Sequence, residues 1–250
     1  MNLVIDIGNT RAKLALFRGF DFVEKTIVLE EELTLQYVHV FLQKNKIENI
    51  ILSASGVVEV SLLAFLQTKK NFILLSAKTP ISIKNLYGTP ETLGKDRLAS
   101  AVAAHYFYPN KNCLTIDCGT CTTYNFINEK GEFLGGNITP GLAMRLQAMH
   151  TLTAKLPLVS LEKNDIGLVG NDTKTALQTG AQLGALYEMQ GFVDAYVQRF
   201  GKICTLLTGG NADFFVNRLN FQIFADSNLV LTGLNVILNY NFKQNKYIKD

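Results

Sequence analysis

Five short apolar runs punctuate the chain: Leu3–Ile7, Ile50–Ala54, Phe72–Leu75, Cys113–Asp117 and Cys204–Leu207. Their length and their Ile, Val and Leu content read as buried strands. Between them the apolar positions recur at helical spacing. This predicts helices over roughly Glu31–Lys44, Ser61–Thr68, Leu93–Phe107, Pro140–Leu152, Thr173–Phe200 and Leu229–Asn239. Two hairpins are also predicted. Lys13–Phe17 and Phe22–Val28 flank Arg18-Gly19-Phe20-Asp21, and Thr122–Ile127 and Glu132–Leu134 flank Asn128-Glu129-Lys130-Gly131. Gly and Asx at both tips supply the backbone angles of a tight turn. Strands alternating with helices predict an α/β fold, and the hairpins make its sheets mixed.

The pattern repeats once. Leu3-Val4-Ile5-Asp6-Ile7-Gly8-Asn9-Thr10 resembles Leu114-Thr115-Ile116-Asp117-Cys118-Gly119-Thr120-Cys121, and a hairpin follows each copy. The repeat predicts two similar lobes, residues 1–110 and 111–250, dividing near Tyr108-Pro109-Asn110. With 250 residues, 48% hydrophobic and 18% charged, the chain is too apolar for a disordered protein and long enough to bury a large core. The net charge of +3 comes from scattered Lys and Arg, so nucleic acid is not an expected partner. Met1–Asp6 lacks a basic segment and carries a carboxylate, unlike a signal peptide. The apolar runs fall far short of the ~20 residues that span a bilayer. Four cysteines are too few for a disulfide scaffold of this size. The expectation is a soluble cytoplasmic protein with reduced thiols and no membrane partner.

An Asp at the end of a buried strand is costly unless it is paired, hydrogen-bonded or holding a cation. A Gly two residues later lets a ligand approach the backbone. Asn9 and Thr10 can donate to phosphate oxygens, and N–H groups in such a turn form an anion-binding concavity. Two copies therefore suggest a nucleotide, with one Asp organising Mg²⁺ and Arg11 or Lys13 reaching phosphate. Thr208-Gly209-Gly210-Asn211 reads as a strand, bare backbone and a helix start, suited to a flat adenine or ribose. Walker and Rossmann glycine patterns are absent. Tyr87-Gly88-Thr89-Pro90-Glu91-Thr92-Leu93-Gly94-Lys95-Asp96-Arg97 is the segment richest in chemistry. Asp96 is placed to cap a helix or serve as a general base, and Arg97 offers a fork for a substrate carboxylate. Gly135-Gly136-Asn137-Ile138-Thr139-Pro140-Gly141 reads as a turn that opens the next helix.

In this order and spacing the motifs resemble type III pantothenate kinase, of the acetate kinase, sugar kinase, Hsp70 and actin superfamily. The resemblance runs through Asp6-x-Gly8-Asn9-Thr10, Tyr87, Gly94-x-Asp96-Arg97, Asp117-x-Gly119-Thr120, Gly135-Gly136-x-Ile138-x-Pro140-Gly141, Asp172-Thr173 and Thr208-Gly209-Gly210. It implies the actin-like duplication of two mixed-sheet lobes and ATP-dependent phosphorylation of pantothenate, the first step of coenzyme A synthesis. It further implies that Asp6, Ile7, Gly8, Asn9, Thr10, Arg11, Ala12 and Lys13 bind ATP together with Thr120, Asp6 placing Mg²⁺. Tyr87, Gly94, Lys95, Asp96, Arg97 and Thr173 would bind pantothenate, with Asp96 as catalytic base. Asp117 would bind a monovalent cation, K⁺ or NH₄⁺. The implied assembly is a homodimer with the pantothenate pocket at the subunit interface, and Gly180, Gly184 and Gly191 would permit close helix packing there or within the chain. Two positions depart from the family pattern: Cys121 stands for Ala, and Asn125 for Asp.

Cys118-Gly119-Thr120-Cys121 has C-x-x-C spacing, yet a strand follows it where a redox pair opens a helix, and zinc lacks further ligands. His39, His105 and His150 are scattered. Two other readings stay open: a non-catalytic regulatory relative, and a kinase for another small carboxylated alcohol. Retention of Asp6, Asp96, Arg97 and Asp117 favours an enzyme over the first. Against the second, pantothenate itself rests on the resemblance.

Overall fold

The computed structural model describes residues 1–8, 11–56, 58–162 and 167–247, the last five of these by backbone alone. Asn9 and Thr10 lie outside the described residues. The chain forms two compact units: Met1–Pro109 with Gly131–Phe133 and the stretch from Asn228 onward, and Asn110–Lys130 with Leu134–Ser227.

The first unit contains β1 (Asn2–Ile7), β2 (Arg11–Arg18), β3 (Asp21–Leu29), α1 (Leu35–Lys44), β4 (Asn49–Ala54), α2 (Val60–Gln67), β5 (Phe72–Leu74), β6 (Lys84–Asn85) and α3 (Lys95–Phe107). The second continues with β7 (Asn112–Cys118), β8 (Cys121–Ile127), β9 (Glu132–Pro140, its first two residues grouped with the first unit), α4 (Leu142–Thr151), α5 (Thr173–Phe200), β10 (Ile203–Thr208), α6 (Ala212–Val216) and β11 (Ile223–Ala225). The last helix, α7 (Leu229–Tyr247), returns to the first unit.

The repeat is a duplication of topology as well as of motif. In the first sheet the order is β3-β2-β1-β4-β5, with β1 antiparallel to β2 and parallel to β4. In the second it is β6-β9-β8-β7-β10-β11, the same five-strand order with β6 added parallel to β9 at the edge, and with β7 antiparallel to β8 and parallel to β10. The first strand of each half is therefore central, and its carboxyl end carries the Asp. One face of the first sheet buries Leu3, Ile5, Ile7 and Leu14 against Val38 of α1 and Leu62 and Leu66 of α2. In the second unit Leu114, Ile116 and Phe126 pack with Leu186, Met189 and Val193 of α5.

Three elements differ from the sequence reading. First, β9 runs on through Gly135–Pro140 where the sequence reads as a turn, because pairing with β8 outweighs the weak strand preference of two glycines. Second, Pro90–Thr92 forms a short 3-10 turn, so α3 starts at Lys95 rather than Leu93. Third, α7 packs on α3 and joins residues 1–109 rather than the second lobe of the expected 110/111 division. Gly233 makes that crossing possible, since a Cβ there would lie 1.8 Å from the Ala99 carbonyl oxygen. An asparagine ladder ties the same helix to the sheet. Asn71 donates to Asn49, Asn49 to Asn2, and Asn2 to Asn235 of α7, at 2.8–2.9 Å. Asn235 in turn donates to the Gly19 carbonyl at the β2–β3 tip.

Candidate active site

Strand register builds the site in each unit. In the first, Asp6 on β1 lies directly opposite Lys13 on β2 and Ser53 on β4. Directly opposed residues of neighbouring strands point to the same face. Lys13, Asp6 and Ser53 thus form a row across three strands. In the second unit the same operation gives Thr123, Asp117 and Thr208.

Asp6 is only 8% exposed. Burial pushes its carboxyl up to about 6 from 3.8, the Lys13 ammonium pulls the other way, and the nearby Asp96 carboxylate raises it further. Ser53 is fully buried and lies close enough to favour the carboxylate, while its hydroxyl makes no hydrogen bond of normal geometry. A carboxylate in a buried row, with a second one near enough to raise its proton affinity, suits the placing of a divalent cation. Ser53 had no sequence signal, because a serine at a strand end is ordinary.

The Asp96 segment lies beside this row. Lys95 Nζ donates to the carbonyl of Ala54, the residue after Ser53, at 2.9 Å. That bond fixes the start of α3 against the end of β4. Gly94 leaves room for the next side chains, since a Cβ there would sit 2.6 Å from Asp96 Oδ1. Arg97 is 4% exposed, with its guanidinium carbon 5.5 Å from the Tyr87 ring centroid. Tyr87 is itself held by Phe133, ring centroids 6.2 Å apart, and by its N–H donating to Asn85 Oδ1. Of the residues expected to bind ATP, Ile7 and Ala12 turn into the core, so they contribute backbone only. Arg11 is exposed, and the Gly8 N–H closes the turn on the Arg11 carbonyl at 3.0 Å.

The second turn is one residue shorter. Four residues separate the paired Ile7 and Ala12, but three separate Cys118 and Thr122. The Gly119 N–H closes it on the Cys121 carbonyl at 3.0 Å. The loop is held from two sides. Asn211 donates its N–H to the Cys118 carbonyl at 3.0 Å and its side chain to the Gly119 carbonyl at 3.5 Å. Gly141, at the start of α4, lies so close that a Cβ would be 2.3 Å from the Thr120 oxygen. Gly209 has φ +98°, and a Cβ there would reach 2.5 Å from Asp117 Oδ1. Gly209→Ala should therefore destabilise the protein by about 2–4 kcal/mol, from backbone strain and overlap together. Thermal denaturation would show this as a lowered Tm, and an unchanged Tm would refute the packing argument. Asn125 is buried and donates to Thr123 Oγ1 at 3.2 Å. Burial first and the Asp117 charge second push the Cys118 thiol far up, away from the reactive thiolate form. Thr173 is exposed in the first turn of α5, whose start Asp172 caps by accepting from Thr175 N at 2.7 Å.

Comparison with known proteins decides the family. A family model described as type III pantothenate kinase matches residues 2–198. A type III pantothenate kinase from Bacteroides fragilis is 43% identical over 244 residues, 96% of this chain and 98% of that protein. The chain belongs to the type III pantothenate kinase family. Solved structures extend the fold beyond this pantothenate kinase family. A Campylobacter jejuni protein assigned to the Baf family of transcriptional activators is 22% identical, covers 96% of this chain and 99% of its own, and gives a TM-score of 0.60. A polyphosphate/ATP-glucomannokinase from Arthrobacter is 13% identical over 96% and 98%, with a TM-score of 0.53. The fold is thus that of the actin-like ATPases and sugar kinases, two mixed sheets flanked by helices. Among the described residues no helix is long and apolar enough to cross a membrane.

Proposed function

We propose that the protein phosphorylates the hydroxyl of pantothenate with ATP, the family's reaction and the first step of coenzyme A synthesis, using Asp96 as general base. The observation that carries the base assignment is the Lys95 hydrogen bond to the Ala54 carbonyl, which ties the Asp96 segment to the end of β4, with the Asp96 charge near enough to act on Asp6 and the Arg97–Tyr87 pair next in the chain. Phosphoryl transfer is catalysed mainly by positioning and charge neutralisation. Mg²⁺ would neutralise charge on the ATP phosphates when bound, and Asp6 is the carboxylate that would place it. Lys13 contributes a cation in the same row. Residues Asp6–Lys13 and Thr120 bind the nucleotide through turn backbone and hydroxyl groups. Asp96 accepts the hydroxyl proton as the oxygen attacks in line. The Arg97 guanidinium holds the pantothenate carboxylate, with Tyr87, Gly94, Lys95 and Thr173 completing substrate contact. Asp117, at the end of β7, supplies a hard carboxylate oxygen that suits K⁺ or NH₄⁺.

The assembly we propose is a homodimer in the cytoplasm. Gly180, Gly184 and Gly191 lie along α5 with open space where a Cβ would point, which supports close approach of a second chain. Sedimentation equilibrium should then return twice the 27.7 kDa chain mass. ADP release from ATP and Mg²⁺ tests the activity. It should require pantothenate and rise with K⁺ or NH₄⁺. Folded protein that binds ATP yet releases no ADP with pantothenate in either cation would leave a regulatory role or another carboxylated alcohol.

A further inference from the structure

The second phosphate loop rests on a corner of chain, Thr139-Pro140-Gly141, between β9 and α4. Gly141 is pressed against two carbonyls of that loop: a Cβ would lie 2.3 Å from the Thr120 oxygen and 2.6 Å from the Gly119 oxygen. Any displacement of the corner is therefore transmitted to the loop that carries Gly119 and Thr120. Close-packed backbone transmits strain because it has no slack.

One side chain holds the corner. Arg145 reaches back over the first turn of α4, and its Nε donates to the Pro140 carbonyl at 2.9 Å. The same guanidinium donates through Nη2 to Glu188 Oε2 of α5 at 2.7 Å. Both side chains are largely buried, at 19% and 27% exposure. Glu188 Oε1 is buried with no hydrogen-bond partner. Tyr124, fully buried on β8, lies near enough for the Glu188 charge to help push its phenol up, after burial itself. Thr139 lies beside Tyr124. Arg145 is thus the cation paired with Glu188, and its fork is divided between Glu188 and the corner.

A part-buried pair of this kind is a poor stabiliser compared with apolar packing of equal volume, since desolvation offsets much of the attraction. What it supplies is geometry. A planar fork with two fixed donors sets the distance from α5 to the corner in a way that a flexible ammonium does not.

We infer that Arg145 and Glu188 are positioning residues for nucleotide binding: through the Pro140 carbonyl and Gly141 they set the backbone of the Gly119–Thr120 loop. The link to ATP rests on the function proposed above. Neither residue touches the reacting atoms.

The test compares Glu188→Gln and Arg145→Lys with the parent protein, by steady-state kinetics and by calorimetric titration with the non-hydrolysable analogue AMPPNP and Mg²⁺. Each variant should raise KM for ATP and weaken AMPPNP about tenfold, the scale on which supporting contacts act. KM for pantothenate and kcat should stay within about twofold to threefold. The double variant should lose less than the product of the two single losses, because one unit is being broken. A merely structural role would lower the Tm and the active fraction while leaving both KM values unchanged. AMPPNP affinity within about twofold of the parent in both folded variants overturns the inference, as does an equal rise in both KM values. Should Glu188→Gln fail to fold, the apolar pair Arg145→Met with Glu188→Leu keeps the packing and must show the same loss of AMPPNP affinity. A parent protein that binds AMPPNP but leaves pantothenate untouched would refute the kinase reading alone, because the calorimetry still decides the role of the pair.

Discussion

Replacing Asp96 by Asn should lower kcat by ~10²–10⁴-fold, the usual range for loss of a general base. Mg²⁺-ATP binding should be kept. The substitution removes the proton acceptor and leaves the shape of the α3 start unchanged. Lys95 still donates to the Ala54 carbonyl, and the Arg97 guanidinium still faces the Tyr87 ring. The amide also removes one negative charge from beside Asp6, whose proton affinity that charge raises. Nucleotide affinity is thus expected to hold or improve slightly, and KM for pantothenate to change little. ADP release under saturating pantothenate measures the first effect and calorimetry with AMPPNP the second. A fall in kcat of less than about tenfold would show that transfer proceeds without Asp96 as base, since a loose transition state needs little proton transfer early. A parallel collapse of nucleotide binding would instead place Asp96 in the cation site.

The central strands were the most legible part of the fold. Leu3–Ile7, Ile50–Ala54, Cys113–Asp117 and Cys204–Leu207 are buried on both faces, so their apolar runs carry a strong signal. The Asp-x-Gly turns were legible for the same reason: a carboxylate at the end of such a run demands an explanation. What stayed hidden depends on register or distance. Ser53 enters the site only because β4 pairs with β1 in one particular alignment. The one-residue difference between the two turns is invisible until Ala12 and Thr122 are seen to pair. The asparagine ladder joins residues 2, 49, 71 and 235, each an ordinary polar position in its own segment. The placement of α7 needs Gly233 to meet Ala99, a contact that no local pattern encodes. Candidate chemistry was read from residue type near turns, whereas positioning was not, because Arg145 and Glu188 look like any helix-surface charge pair until the corner between them is seen.

The Asp6 carboxylate should cost the nucleotide-free protein stability, and its replacement by Asn should make that protein more stable and nearly inactive. Its proton affinity in the folded chain, about 6, lies above the ordinary 3.8 because burial disfavours the charge. A group whose folded value is raised contributes stability below its unfolded value and loses it as the pH climbs through the folded one. Between 3.8 and about 6 the folded protein therefore loses stability relative to one lacking this carboxyl, by ~3 kcal/mol at full ionisation. The value of about 6 already includes the attraction to Lys13, so the gain with Asn at pH 8 should be about 3 kcal/mol. The gain should shrink as the pH falls through 6 and vanish below 3.8, where Asp6 is protonated folded or unfolded. Urea denaturation of both proteins at pH 8, 6 and 4 reads this directly. Phosphoryl transfer should fall about 10²–10³-fold in the variant, as for loss of a preorganised electrostatic group. Mg²⁺-ATP, which raises the Tm of the parent by binding the folded state, should raise it much less in Asp6→Asn. In the parent, kcat/KM for ATP should decline below pH 6 as the carboxyl takes up its proton. A variant less stable than the parent at pH 8 would mean that Asp6 holds the strand end together through Lys13. Such a result would rule out a carboxylate kept ionised, against its burial, for the sake of the cation it binds.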